Sequence, residues 1–343
     1  MSESSLPSVP SNASPRYHYR VPQPIVLGTL SIDSSTSSPR HIAFGIDEGY
    51  MRGVSVSIAS LASNTTSALI VHIFYSGELN DPAVLVTLTE QFNVQINVYP
   101  LDKALFDGFP VNDLWTCSIY YRALVGKALK DVTDRVVYID ADIICTNDFS
   151  ELYTVDLQGK VVGVVRDHDR KTREDAQALY GVSDYFNSGV LVIDPVRWEE
   201  ERISEQFIDT LRAKGDQLRL FDQDALNIVL EGKTRFLPAK FNAVARPRRY
   251  RQKDLMPVPL EECVLVHFIG NLKPWRHGSF GRSVDAYEHY EAMTPWEDTP
   301  KDPPYSGTGA KRYANAFFQR KRWLQGIYWY GYYLQLKFVQ KRR

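Results

Sequence analysis

Residues 135–144 read Arg-Val-Val-Tyr-Ile-Asp-Ala-Asp-Ile-Ile, and no other stretch restricts the fold of this chain so tightly. The β-branched and aromatic run from Val136 to Ile139 calls for a buried strand. Such a strand delivers Asp140 and Asp142 to a ligand or to solvent, because unpaired charge in an apolar interior is costly. Period-two geometry predicts that both carboxylates leave the strand on one side. Two hard oxygen ligands placed together suit a divalent cation, above all one carrying a diphosphate. A solvated turn is the other reading of Asp-Ala-Asp, and the apolar Ile143 and Ile144 that follow weigh against it.

The surrounding pattern is a βα alternation. Strands are expected over 41–46, 69–75, 94–99 and 160–165, with helices over 54–62, 82–92 and 118–129. This predicts a doubly wound α/β sheet, whose ligands gather at the carboxyl ends of the strands, where Asp47, Asp140 and Asp142 all fall. Residues 1–38 are rich in Ser and Pro and read as a flexible lead-in, with an extra strand possible over 24–32.

Composition narrows the function classes. The chain has 343 residues, 44% hydrophobic and 24% charged, enough for a substantial core. Its 40 basic and 41 acidic residues leave a net charge of −1, without the footprint of a nucleic-acid binder. Cys117, Cys145 and Cys263 lack metal or disulfide spacing and fit a reducing compartment. Residues 1–20 contain no apolar signal core, and no run of about 18 apolar residues occurs, so neither export by that route nor a membrane span is expected.

Downstream lie Tyr-Phe-Asn-Ser-Gly at 185–189, Phe-Asp-Gln-Asp at 221–224 and His-Phe-Ile-Gly-Asn-Leu-Lys-Pro-Trp at 267–275. Together with Gly45-Ile46-Asp47, Tyr-Tyr-Arg at 120–122 and the Asp-Ala-Asp segment, the chain from about 41 to 275 resembles glycosyltransferase family 8, retaining enzymes of the GT-A fold. The resemblance implies a Rossmann-like mixed sheet flanked by helices, with a catalytic domain over 39–280 and a C-terminal helical extension over 281–343. It implies a metal held by Asp140, Asp142 and His267, and a nucleoside diphosphate sugar contacted by Gly45, Asp47, Arg122, Asn187, Gly270 and Lys273. It assigns Asp167, Asp222 and Gln223 to the hexose and the anomeric carbon. Two carboxylates and an imidazole favour Mn²⁺, with Mg²⁺ second, since Mg²⁺ prefers an all-oxygen shell. No carboxylate nucleophile stands out, so retention is expected through departure and attack on one face, with Gln223 stabilising positive character on the sugar. Asp222 as a plain helix N-cap and Gly270-Asn271 as a plain turn remain alternatives. One departure is Asp47-Glu48-Gly49, where some relatives place Asn at the third position.

Residues 311–343 are basic at both ends, with Leu324, Ile327, Tyr328, Gly331, Leu334 and Phe338 at helical spacing between them. Such a Trp- and Tyr-rich basic helix lies in an anionic membrane interface or docks on the catalytic domain. The tail resembles that of the lipopolysaccharide-core glucosyl- and galactosyltransferases. This implies UDP-glucose or UDP-galactose as donor, a lipid-linked core oligosaccharide as acceptor, and a cytoplasmic enzyme at the inner face of the membrane. Competing readings are another glycan or lipid acceptor, an aspartyl-phosphate-type phosphohydrolase, and a binding module without turnover.

Overall fold

The computed structural model describes residues 21–31, 38–112, 115–245, 256–304 and 306–340. Most of the Ser/Pro-rich lead-in and the last three basic residues lie outside them. Among the described residues the strands are β1 (Ile25–Leu27), β2 (Arg40–Ile46), β3 (Leu69–Ser76), β4 (Val94–Leu101), β5 (Val136–Ile139), β6 (Ile143–Cys145), β7 (Val162–Arg166), β8 (Phe186–Ile193), β9 (Thr234–Leu237), β10 (Ala243–Ala245) and β11 (Leu265–Phe268).

Eight of them form one sheet in the order β1-β4-β3-β2-β5-β8-β7-β9. The βα alternation produces the parallel half, β4, β3, β2 and β5, with the helices Met51–Ser63 and Ala83–Gln91 as crossovers. β8 then runs antiparallel to both β5 and β7, so the sheet is mixed, as the resemblance implied. The reversal has a functional consequence: it brings the entry of β8, with Asn187 and Ser188, to the carboxyl end of β5. The fully buried Ile42, Phe44, Val71, Ile73 and Val137 lie in one core cluster, and Ala43, Phe74, Val136 and Tyr138 in a second. That is the two-sided burial expected of a parallel sheet.

The strand expected before the aspartates is β5, but the period-two placement of Asp140 and Asp142 on one side of it is not what brings them together. β5 ends at Ile139, residues 140–142 turn, with the Ile143 amide donating to the Asp140 carbonyl at 3.1 Å, and β6 leaves for a second sheet of order β10-β11-β6. The two aspartates therefore meet because the chain bends between two sheets, rather than by pleat alternation within one strand.

The helix expected over 118–129 is a 3₁₀ turn, Cys117–Leu124, followed by the short α-helix Val125–Leu129. Arg122 Nε donates to the Ile119 carbonyl at 2.9 Å, occupying an acceptor that a continuing α-turn would use.

The compact body continues past residue 280. Val284, Tyr287 and Tyr290 of the helix Arg282–Glu291 pack with Val56, Phe268 and Trp275, and Arg52 reaches Glu291 at 2.8 Å in a buried ion pair. The tail expected as a single basic helix is two helices, Gly307–Gln319 and Trp323–Gln340, packed against each other. They are separated at Arg320–Arg322, where Lys321 adopts a left-handed φ of 60°.

Candidate active site

Three chain segments build the acidic end of one cleft. β11 pairs antiparallel with β6 in a register that sets His267 opposite Ile143, and the Phe268 amide donates to the Asp142 carbonyl at 3.0 Å. His267 is thereby locked beside the aspartate turn. Its Nε2 stands 3.3 Å from Asp142 Oδ1 and 3.9 Å from Asp140 Oδ2.

Ligand atoms about 2.0–2.2 Å from one cation lie about 3 Å apart when adjacent and about 4.3 Å apart when opposite. The observed separations fall inside that window. The chemistry fits as well, with two anionic oxygens and one imidazole nitrogen facing each other. Gly189 makes the fit possible: a Cβ there would stand 2.4 Å from His267 Cε1, so only glycine leaves room for the ring.

The charge balance is set by two buried cations. Arg122, 5% exposed, is bound to Asp140 at 2.9 Å and Asp222 at 3.1 Å, donates to Ser188 Oγ at 2.8 Å, and lies over the Tyr138 ring. Burial alone would lower its pKa, and the two carboxylates more than offset that. Lys273 bonds the Asp142 carboxylate and the Phe268 carbonyl. Burial would likewise raise the Asp142 pKa, and the Lys273 ammonium with the His267 imidazole overcomes it, holding the carboxyl well below its usual range. Asp222 goes the other way: burial pushes it up to about 6, with the nearby Asp140 carboxylate adding to the rise and Arg122 offsetting only part of it. Asp222 is no N-cap, since that position is Leu220 and its carboxylate accepts from Arg122 and Ser188 instead.

The opposite wall is amide-rich. Gln223 Nε2 donates to Asp167 Oδ2 at 3.1 Å and to the Tyr185 hydroxyl at 3.2 Å, while its Oε1 accepts from Asn187 Nδ2 at 3.0 Å and from the Ser188 amide at 3.1 Å. Asp224 anchors the start of the helix Phe221–Val229 by accepting from the Leu220 amide at 2.9 Å and from Tyr185.

Gly45, Arg122, Asp140, Asp142, Asp167, Asn187, Asp222, Gln223, His267, Gly270 and Lys273 all line one open cleft of about 330 Å³. Gly270 takes φ 78° with no atom near its missing side chain, which leaves its backbone open to the cleft. Asp47 is the exception. It sits at the rim, where its carboxylate accepts from the Thr116 hydroxyl at 2.6 Å. Tyr138, Ser188, Gly189 and Asn242 escaped the sequence reading. Asn242 is a lone amide between Phe241 and Ala243, and nothing local marks it.

Comparison with known proteins gives the family and the fold. Residues 41–278 match Glycosyl transferase family 8. The chain is 32% identical over 310 residues to a lipopolysaccharide 1,3-galactosyltransferase of Salmonella typhimurium, covering 88% of this chain and 92% of that protein. It is 28% identical over 317 residues to a lipopolysaccharide 1,2-glucosyltransferase of Escherichia coli K12, covering 90% and 94% respectively. Among solved structures, galactosyltransferase LgtC in complex with donor and acceptor sugar analogs superposes with a TM-score of 0.64 at 21% identity, over 75% of this chain and 99% of that one. That superposition identifies the fold as GT-A.

Proposed function

The chain belongs to glycosyl transferase family 8, and from that membership and the cleft we propose that it moves glucose or galactose from a UDP-hexose to the core oligosaccharide of lipopolysaccharide, with retention, forming an α linkage. The observation that carries this reading is the convergence of Asp140, Asp142 and His267 on one wall with Asp167, Asn187 and Gln223 on the other. One end suits a diphosphate and its cation, the other a polyhydroxylated ring.

In this reading Asp140, Asp142 and His267 hold Mn²⁺, or Mg²⁺ less readily. A bound divalent cation neutralises charge on the departing diphosphate. Lys273 turns from Asp142 toward the same charge, and the open backbone at Gly270 admits a phosphate oxygen. Gly45 and Asp47 meet the nucleoside. Arg122 has its donors engaged by Asp140, Asp222 and Ser188, which supports a role in setting those carboxylates around the donor. Asp167, Asn187 and Asp222 address the sugar hydroxyls. Gln223 is a weak nucleophile, and its amide is held by four hydrogen bonds beside Asp167. Both facts favour departure and attack on one face, with the leaving phosphate oxygen taking the acceptor proton.

The tail extends this reading to the acceptor's surroundings. Among the described residues no helix is long and apolar enough to cross a membrane. On Trp323–Gln340, however, Trp323, Leu324, Ile327, Tyr328 and Phe338 are 61–85% exposed. An apolar helix face left in water between basic ends supports binding to an anionic membrane surface, where a lipid-linked acceptor would be presented.

The test is incubation with each UDP-hexose and truncated core lipopolysaccharides, followed by UDP-release and linkage analysis. Acceptor-dependent, Mn²⁺-dependent release is expected, and Asp142→Ala should abolish it while leaving the fold intact. Absence of transfer from both donors to every core acceptor, or full turnover by Asp142→Ala, would refute the reading.

A further inference from the structure

A single line of hydrogen bonds joins the two walls of the cleft, and its polarity is fixed at every link. Asp167 is a carboxylate and can only accept, so Gln223 must present its NH₂ there, at 3.1 Å. The Ser188 amide can only donate, so the Gln223 atom 3.1 Å from it is oxygen. That oxygen takes Asn187 Nδ2 at 3.0 Å. The Gly189 amide, 3.1 Å from the other Asn187 terminal atom, makes that atom oxygen too. It then requires a donor from Asn242, whose Nδ2 lies 2.8 Å away. Asn242 is left with its carbonyl oxygen facing His267 Nδ1 at 2.9 Å.

Nδ1 must therefore carry a proton, which leaves Nε2, facing Asp140 and Asp142, as the ring nitrogen available to a metal. Amide and imidazole orientations are ordinarily ambiguous. Here two backbone N–H groups and a carboxylate remove the ambiguity. The elements responsible are distant in sequence: Asn187 opens β8, Gln223 lies on the helix Phe221–Val229, and Asn242, 4% exposed, immediately precedes β10.

We infer that Asn242 is a positioning residue of this cleft: with Asn187 and Gln223 it forms an amide relay that holds His267 as the Nδ1–H tautomer and ties the metal end to the sugar end. The inference rests on the metal reading of Asp140, Asp142 and His267. Outer partners of ligating histidines commonly carry about 10- to 100-fold in metal affinity. The relay adds that the partner's oxygen, rather than its bulk, is what matters.

Two variants and one spectrum decide it. Mn²⁺ binding, read as free Mn²⁺ by electron paramagnetic resonance, should weaken by about 10- to 100-fold in Asn242→Ala. Asn242→Asp keeps an oxygen on the imidazole N–H but sets a second oxygen against Asn187 Oδ1, so its binding should fall between that of the unaltered protein and that of Asn242→Ala. Histidine-labelled, metal-free protein should show His267 protonated at Nδ1 in ¹⁵N spectra. Unchanged binding in Asn242→Ala, binding in Asn242→Asp as weak as in Asn242→Ala, or an unprotonated Nδ1 in the unaltered protein would each overturn the relay. A protein that binds no Mn²⁺ at all would sink the metal reading instead, while the spectrum would still decide the tautomer.

Discussion

Replacing Arg122 with Met tests how the cleft tolerates its own charge. The guanidinium is buried between Asp140 and Asp222, at 2.9 and 3.1 Å. Met keeps much of the volume and removes the charge, leaving two carboxylates without their shared partner. Breaking a buried ion pair by deleting one side costs about 3–5 kcal/mol. Asp140 is 21% exposed at its side chain and recovers part of its hydration, whereas Asp222, at 10%, does not. We therefore expect a loss near the lower end, about 3–4 kcal/mol. A kilocalorie corresponds to about 2–4 °C in domains of 150–250 residues and to less in larger ones, so the melting temperature should fall by about 5–10 °C. The measurement is thermal unfolding in chelator at neutral pH, where Asp222 is charged in the unaltered protein and, without Arg122 to offset its burial, is pushed further up in the variant. Adding Asp222→Asn to Arg122→Met should restore part of the loss, because one orphaned charge has been removed. A fall below about 2 °C, or a double variant no more stable than Arg122→Met, would show that the guanidinium does not hold these carboxylates together.

Two further outcomes follow from groups away from the diphosphate end. His72 is fully buried, bonded to His41 and Tyr99, and burial lowers its pKa from 6.5 to about 3. The unfolded chain thus binds a proton that the folded one refuses, so stability is full above pH 6.5 and is lost as pH falls from 6.5 toward 3. At pH 5 the loss is about 2 kcal/mol, and His41, also lowered by burial, adds in the same direction. Denaturant titrations of His72→Gln between pH 7 and 5 should show a flatter slope than the unaltered protein, and an equal slope would contradict this account. On the tail, Leu324, Ile327 and Phe338 are 85%, 62% and 67% exposed. Changing all three to Ser should reduce co-sedimentation with phosphatidylglycerol vesicles by at least about tenfold, since each buried apolar side chain contributes about 1.5–3 kcal/mol to leaving water. Unchanged sedimentation would remove the membrane reading of this helix.

Much was legible in the chain itself. Strands β2, β3 and β4, and their crossover helices, follow from local periodicity, because a parallel sheet buried on both faces needs continuous apolar runs. Asp140 and Asp142 stand out by the apolar strand that delivers them, His267 and Lys273 only through the family resemblance of 267–275, and the fold brings all four to one cleft. The 3₁₀ form of Cys117–Leu124 was not legible, since its apolar spacing is the same as that of an α-helix and the Arg122 bond to the Ile119 carbonyl that accompanies it exists only in the folded chain. The division of the tail at Arg320–Arg322 left no breaker such as Gly or Pro to read.

Tertiary structure alone decided how these parts meet. The sequence specifies two carboxylates at the end of a strand. That they face His267 depends on β6 leaving the large sheet to pair with β11, a contact more than 120 residues away along the chain. Asn242 carries no local signal because its meaning lies in what it touches, Asn187 on one side and His267 on the other. Periodicity and motif are properties of neighbours in the chain. Hydrogen-bond polarity passed from Asp167 to His267 is a property of neighbours in space, and it exists only once five separate segments have packed.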